Sequence, residues 1–288
     1  MKRNLKSRAS AFIASRSRFS LLYLWISLGI VGGIAVIWLF IWINNNVLVT
    51  AKYTVEADIE SRIKIVQLSD LHGKSFGHKN QRLIAKIVAQ KPDVIAITGD
   101  IIHNYRERDK RCALELVAAL SGIAPVLYVS GNHEMRNKGY RFFRKQLKEA
   151  GACVLDDCPI EICGITVVGL NCASLKNDVI YAVTPEAPFK VLLAHKPHFF
   201  KHYASADYQL VLSGHAHGGQ WRLPFTGIGF YSPGQGLFPK LTSGMHVEGK
   251  TKMIISRGLG NSQCPVRLFN LPEIVVVNIV PIKESAAL

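Results

Sequence analysis

Apolar positions are distributed along this chain in two different ways. From 21 to 43 they run unbroken by charge, LLYLWISLGIVGGIAVIWLFIWI, whereas beyond 61 they come in short bursts separated by polar clusters. Twenty-three helical residues at ~1.5 Å each span about 35 Å, enough to cross a hydrocarbon core of roughly 30 Å. Such a run also exceeds the ~7–15 apolar residues of a secretory signal. Tyr23, Trp25, Trp38 and Trp42 lie towards its ends, where interfacial aromatics sit. A transmembrane helix is expected over 21–43. A signal peptide cleaved near Val49-Thr50-Ala51 is the lesser alternative.

The bursts that follow alternate in period. RIKIVQL (62–68) reads as a buried strand that stops at Ser69-Asp70-Leu71-His72, and QRLIAKIVAQ has helical spacing. DVIAIT (93–98) is a second strand, ending at Gly99-Asp100. After the helical CALELVAALSG comes a third, APVLYVS, ending at Gly131-Asn132-His133-Glu134 and followed by the helical YRFFRKQLKEAG. Strands alternating with helices imply parallel pairing through right-handed crossovers, and the loops at the carboxyl ends of such strands converge on one edge. From about 152 the strands crowd together: CVLD, IEICG, ITVVGLN, KVLLAH, YQLVLSGH, KMIISRG and EIVVVNIV. With little helical pattern among them, a second, mainly antiparallel sheet packed on the first is expected. The expected layout is a basic segment at 1–20, the span at 21–43, a polar linker at 44–61 and one large α/β domain at 62–288.

Charge adds an orientation. Six basic residues precede the span, only Lys52 follows it closely, and the first acidic residue is Glu56. The positive-inside rule then places the N-terminus in the cytoplasm and the domain across the membrane. The chain carries 35 Lys and Arg against 20 Asp and Glu, a balance that suits anionic lipid surfaces or phosphorylated substrates and equally an ordinary solvated basic surface. No basic run is interleaved with aromatics, so nucleic acid is not an expected partner. The six cysteines form no C-x-x-C pair, and the four between 153 and 172 are expected to be small buried hydrophobes, with a disulfide as the alternative.

Candidate chemistry sits at the strand ends. Five separate segments deliver Asp70, His72, Asp100, Asn132, His133, His195, His215 and His217 to such positions. One Asp there is usually a turn or helix cap, and one His is usually hydrogen-bonded structure. Five such segments in one chain point instead to metal. Asp, Asn and His without Cys form an oxygen and nitrogen donor set that suits Mn²⁺, Fe or Zn²⁺. Seven ligands exceed the need of one ion, and two ions sharing a carboxylate is the natural division.

Ser-Asp-Leu-His at 69, Gly-Asp at 99, Gly-Asn-His-Glu at 131, His195 and Gly-His-Ala-His at 214 resemble the five-block signature of the calcineurin-like metallophosphoesterases. GHAHGGQ, the segment WRLPFTGIGFYSPGQGLFPK and the stretch SRGLGNS at 256–262 resemble that superfamily's membrane-associated phosphodiesterase branch, related to UDP-2,3-diacylglucosamine hydrolases. The resemblance implies an α/β fold of two packed mixed sheets flanked by helices. It implies Asp70, His72 and His217 on one metal, Asn132, His195 and His215 on the other, and Asp100 bridging. A hydroxide held between the ions would attack phosphorus, with His133 free of metal and placed to protonate the leaving oxygen.

In one place the chain departs from that pattern. Many members carry Gly-Asp-x-x-Asp, whose second acid orients the catalytic histidine, whereas here the fifth position is His103. Either Glu134 or another acid substitutes, or His133 works unassisted, and Glu134 also reads as a helix-start residue facing a positive dipole. Lys74, Arg136 and Arg257 are candidate phosphate contacts. The aromatic stretch from Trp221 to Lys240 is either an ordered rim packed on the core or one that touches the bilayer and receives acyl chains.

The function expected is a membrane-anchored, dinuclear-metal hydrolase of a phosphodiester or pyrophosphate, with a lipid substrate such as UDP-2,3-diacylglucosamine. An extracytoplasmic phosphatase acting on envelope lipid or polymer phosphates is the alternative, and a metal-stabilised membrane scaffold is the non-enzymatic one.

Overall fold

The computed structural model describes residues 2–136, 138–173, 180, 185–261 and 264–282, with side chains from residue 23 onward. Ser262 of the stretch at 256–262 lies outside them. The chain divides into two compact units, Met1–Ile43 and Asn44–Leu288. The first belongs to a single helix, α1 (Lys2–Asn46), whose part Tyr23–Asn46 has a mean hydropathy of 2.4 and is long and apolar enough to cross a membrane.

In the second unit, β1 (Val49–Ala57), β2 (Ile63–Leu68), β3 (Val94–Thr98), β4 (Val126–Val129) and β5 (Ala152–Val154) belong to one sheet. Helices α2 (Gln81–Val88), α3 (Glu107–Ser121), α4 (Asn132–Met135) and α5 (Tyr140–Glu149) lie between them in sequence. A second sheet takes β6 (Cys158–Ile162), β7 (Ile165–Gly169), β8 (Lys190–Leu193) and β9 (Leu210–Ser213), with α6 (Phe200–Ser205) between the last two. A two-residue pair, β10 (Tyr231–Ser232) and β11 (Gly236–Leu237), precedes β12 (Gly244–Glu248) and β13 (Thr251–Ile255), which join the second sheet. Finally β14 (Glu273–Pro281) returns to the first, giving the orders β1-β14-β2-β3-β4-β5 and β12-β13-β9-β8-β7-β6.

Alternation along the strands explains the layering. Ile63 and Ile65 of β2 join Val94, Ala96, Val191, Leu193, Leu210 and Leu212 in a core between the sheets, while Val66 and Leu68 face Leu83, Ile87, Leu116, Val117, Phe143 and Leu147 of α2, α3 and α5. On the far side, Leu192 and Val211 pack with Phe200 and Tyr203 of α6. The fold is a four-layer α/β sandwich of two mixed six-stranded sheets.

Three expectations about the chain's course need correcting. Residues 44–61, read as a linker, contain β1, which pairs parallel with β14 over its whole length. Its sequence VTAKYTVEA alternates because it is a half-covered edge strand. The second sheet is not mainly antiparallel: β13-β9, β9-β8 and β8-β7 pair parallel, and only β12-β13 and β6-β7 run the other way. CVLD and EIVVVNIV do not belong to it, since β5 pairs with β4 and β14 inserts antiparallel beside β2. As for the cysteines, none is in a disulfide, and Cys153, Cys158 and Cys163 are exposed whereas Cys172 is buried. Cys153 and Cys158 lie on solvated faces of the edge strands β5 and β6, and Cys163 lies in the turn between β6 and β7, which the spacing alone did not show.

Candidate metal centre

Parallel strands end together, so the polar clusters after β2, β3, β4, β8 and β9 meet at one edge of the sandwich. Gln67 ties the two sheets there, donating from Nε2 to Thr98 Oγ1 and to the Ser213 carbonyl oxygen, each at 2.9 Å. Beyond this tie the chain turns sharply. Asp70, His72, Asp100, His215 and His217 all have φ between 49° and 68°. A non-glycine residue in that region is held about 1 kcal/mol or more above its relaxed state, and such positions concentrate at functional sites. Gly214 is required by proximity, because a Cβ there would overlap Ser69 Oγ and Asp70 Oδ2.

Two triplets of ligand-bearing side chains result, Asp70-His72-His217 and Asp100-His195-His215, all six buried. In the first, Nε2 of His72 and of His217 face each other at 3.2 Å, and His217 Nε2 lies 3.4 Å from Asp70 Oδ1. In the second, His195 Nε2 lies 3.1 Å from both Asp100 Oδ2 and His215 Nδ1. The triplets adjoin, since His72 Nε2 is 3.9 Å from both Asp70 Oδ1 and Asp100 Oδ2.

Neighbouring groups fix which atoms point inward. His195 donates from Nδ1 to the Thr98 carbonyl at 2.8 Å, which turns its Nε2 lone pair to the cluster. Asp70 accepts the His215 backbone N–H on both oxygens, at 3.1 and 3.0 Å. Asp100 accepts the His133 N–H on Oδ1 at 2.8 Å and leaves Oδ2 for the cluster. Asn132 Oδ1 is buried without a hydrogen-bond partner.

Electrostatics favours the forms a cation needs at three of the four histidines and at Asp100, and opposes it at His195. Burial, helped by neighbouring imidazoles, lowers His215 to about 2 and His72 well below its ordinary value. Burial lowers His217 to about 4. Burial also opposes charge on His195, but the Asp100 carboxylate outweighs it and raises that group to about 9; His195 in turn holds Asp100 ionised against its own burial. Neutral imidazoles at 72, 215 and 217, crowded nitrogen to nitrogen against carboxylates, with His195 paired to Asp100 and an orphaned amide oxygen beside them, form a donor set that fits divalent cations once His195 releases its proton.

Around the ligands, the sequence expectations meet mixed outcomes. Glu134 is a helix-start residue, but its buried carboxylate does more than face a dipole. It accepts the N–H groups of Asp100, Ile102 and Gly131 at 2.9, 3.2 and 2.7 Å, tying the loops after β3 and β4 together. It does not orient the His133 ring. That ring donates from Nδ1 to the His103 carbonyl oxygen at 2.8 Å and stacks on the His103 ring, so a backbone oxygen stands where an acid was expected.

The Arg257 guanidinium grips the buried Glu273 at 2.6–2.7 Å through Nε and Nη2. Lys74 donates to the Asn45 carbonyl and lies over the Phe76 ring. Burial lowers it to about 7. Neither lines the cavity of about 320 Å³ that opens onto the cluster; Arg136 does, with Asp100, Asn132, His133, His215 and His217. Tyr231, Pro233 and Gly234, from the 221–240 stretch read as a rim, complete that lining with Gln220 and Cys264, which were not anticipated. Gln220 sits directly after GHAHGG with φ 60°, and its position next to the ligands was the available signal.

Sandwich, converging strand ends and paired His/Asp triplets together define a metallophosphoesterase. Residues 63–219, more than half of the chain, match the calcineurin-like phosphoesterase family, and the chain belongs to it. It is accordingly a metal-dependent phosphoester hydrolase with a dinuclear type of site. The metallophosphoesterase YkuE of Bacillus subtilis (strain 168) is 28% identical over 254 residues, covering 82% of this chain and 86% of that protein. The phosphodiesterase YaeI of Escherichia coli (strain K12) is 26% identical, covering 77% and 84%. A Danio rerio protein named as a transmembrane protein with a metallophosphoesterase domain is 28% identical, covering 74% of this chain and 52% of its own length.

Proposed function

We propose that this chain is a membrane-anchored phosphohydrolase that uses two divalent ions, Mn²⁺ being the best match to the donors, to cleave a phosphodiester or pyrophosphate bond in a lipid. The adjoining triplets carry this reading. Asp70, His72 and His217 would hold one ion and Asn132, His195 and His215 the other, with Asp100 between them. When bound, such a pair supplies a nucleophile active near neutral pH and neutralises charge on the phosphoryl oxygens.

The protein's own groups do the rest. Thr98 and the His215 N–H aim His195 and Asp70. His133, held at Nδ1 by His103, lines the cavity and presents Nε2 for protonating the leaving oxygen. Arg136, on the same wall, would pair with a non-bridging phosphate oxygen.

An anchor fits the chain's course better than a cleaved signal. Asn44 and Asn45 accept the backbone N–H groups of Asn270 and Arg267, and Val49, Thr50 and Ala51 pair with β14. Cleavage there would remove these contacts. Six basic residues before the span put the N-terminus in the cytoplasm and the catalytic domain outside it. Envelope lipid phosphates are then the preferred substrates, and a nucleotide-activated lipid such as UDP-2,3-diacylglucosamine would require the opposite orientation. That YaeI is named a phosphodiesterase supports a diester.

The test is turnover by the Mn²⁺-supplied protein on a panel of bis-aryl phosphate, polyprenyl pyrophosphate and UDP-2,3-diacylglucosamine, with a C-terminal topology reporter. Hydrolysis of the first two with an extracytoplasmic reporter is expected. No hydrolysis of any panel member would overturn the reading.

A further inference from the structure

Four residues past His217, the chain leaves the buried cluster and becomes an irregular rim. Its backbone carries one short strand pair, β10 with β11, and is otherwise held by turns and loop hydrogen bonds. Leu223 N–H donates to the Ile228 carbonyl at 2.9 Å, Phe230 to Trp221 at 2.8 Å and Phe238 to Phe230 at 2.9 Å. The Arg222 guanidinium crosses beneath, binding Gly218 O, Ser243 Oγ and Gly227 O. Side chains do the opposite of what such a scaffold would normally give them. Phe225 is completely exposed, Leu237 and Phe238 are 62% and 57% exposed, and Trp221 and Phe230 keep about 40%. Exposed apolar side chains grouped in this way mark an interaction surface, and each backbone hydrogen bond closed within the rim lowers the cost of contact with hydrocarbon.

Two observations choose the occupant. Trp221 donates from Nε1 to the Val266 carbonyl at 3.0 Å, and Arg222 N–H to Leu268 O at 3.0 Å, so the rim rests on 266–269, where Phe269 is also exposed. The same segment receives the first residues of the catalytic unit. Arg267 N–H donates to Asn45 Oδ1 at 3.1 Å, Asn270 N–H to Asn44 Oδ1 at 3.2 Å and Asn261 Nδ2 to Asn45 Oδ1 at 3.0 Å. Asn44 continues directly from the apolar run that is long enough to cross a membrane. The point where the chain leaves for the bilayer is therefore built into the base of the rim. Trp and Tyr settle at the headgroup boundary, with Phe buried just beneath them. Tyr231 and Pro233 belong to the rim and also line the cavity above the ligands.

We propose that the 221–238 rim, together with Phe269, inserts into the surface of the bilayer that holds the N-terminal helix. The cavity mouth then opens at the depth of lipid phosphates. This rests on the phosphohydrolase reading for what the cavity does, but its test does not depend on turnover.

The chain has four tryptophans, and Trp221 is the one beyond residue 43. Full-length protein carrying Trp25→Phe, Trp38→Phe and Trp42→Phe is reconstituted into phosphatidylcholine/phosphatidylglycerol vesicles, with or without brominated acyl chains. Trp221 emission is expected to be blue-shifted and quenched by about half or more in the brominated vesicles. Adding Phe225→Asp and Phe238→Asp should abolish most of the quenching while bis-aryl phosphate turnover stays within about twofold, which shows that the variant is folded. Equal emission in the two kinds of vesicle overturns the proposal, as does full quenching in the Asp variant. Blue-shifted emission that ignores bromine but varies with protein concentration would assign the rim to a second copy of the chain, and also overturns it. Quenching without any turnover in the wild type would instead refute the phosphohydrolase reading and leave the bilayer contact standing.

Discussion

His217 and Trp221 are separated by three residues and belong to opposite regimes. At His217 the side chain is buried, its backbone is held in a left-handed conformation and its ring is packed against His72. At Trp221 the backbone is tied down, but the ring faces outward with Phe225, Phe230 and Phe238. The first region is over-determined: strand ends, glycine clearances and carbonyl acceptors each allow one arrangement of ligands. The second has a fixed frame and an unpartnered face. A ligand cluster must be built to a fraction of an ångström, whereas a surface that meets a fluid bilayer needs only a fixed position and apolar content. Substitutions in the two regions should differ accordingly.

The largest effect is expected from Asp100→Ala, which removes the carboxylate of one triplet that also lies 3.9 Å from His72 Nε2 of the other and is proposed to stand between the ions. Turnover of bis-aryl phosphate should fall at least about a thousandfold, equivalent to roughly 4 kcal/mol of barrier. Undiminished turnover would refute the shared role. Gly214→Ala should come next, because a methyl group there meets Ser69 and Asp70. About 1–3 kcal/mol of stability should be lost to overpacking, read as a lower denaturation midpoint, together with weakened metal binding. His133→Ala should keep its metal yet lose about 10²–10⁴-fold on substrates with poor leaving groups and much less on good ones. Equal losses on both would remove the proton-donor assignment. The smallest catalytic effect is expected at Arg257→Gln. Turnover per folded molecule should stay within about twofold, while stability falls by about 1–3 kcal/mol because Glu273 is left buried without its partner. A specific rise in KM for phosphate esters would instead restore Arg257 as a substrate contact.

What could be read from the sequence follows the same division. The strand-helix alternation from 62 to 151 and the polar tripeptides at its strand ends come from short-range patterning, so the converging edge and its Asp, Asn and His residues were legible together. Pairing partners were not. Nothing local tells Glu273–Pro281 to insert antiparallel beside Ile63–Leu68 while also pairing parallel with Val49–Ala57. A half-covered edge strand such as β1 looks polar enough to pass for a linker. The basic residues show the same limit, since the acid that claims Arg257 lies sixteen positions away and Lys74 meets Asn45 across 29. His103 was visible as a missing acid, but its backbone carbonyl leaves no trace in the side-chain sequence.

The most direct check on the central claim is metal stoichiometry measured alongside turnover. Full-length protein reconstituted with Mn²⁺ should hold two ions per chain, lose bis-aryl phosphate hydrolysis when a chelator removes them, and regain it when Mn²⁺ is returned. One ion per chain at full activity, or activity that survives complete chelation, would contradict a site built from two triplets joined at Asp100.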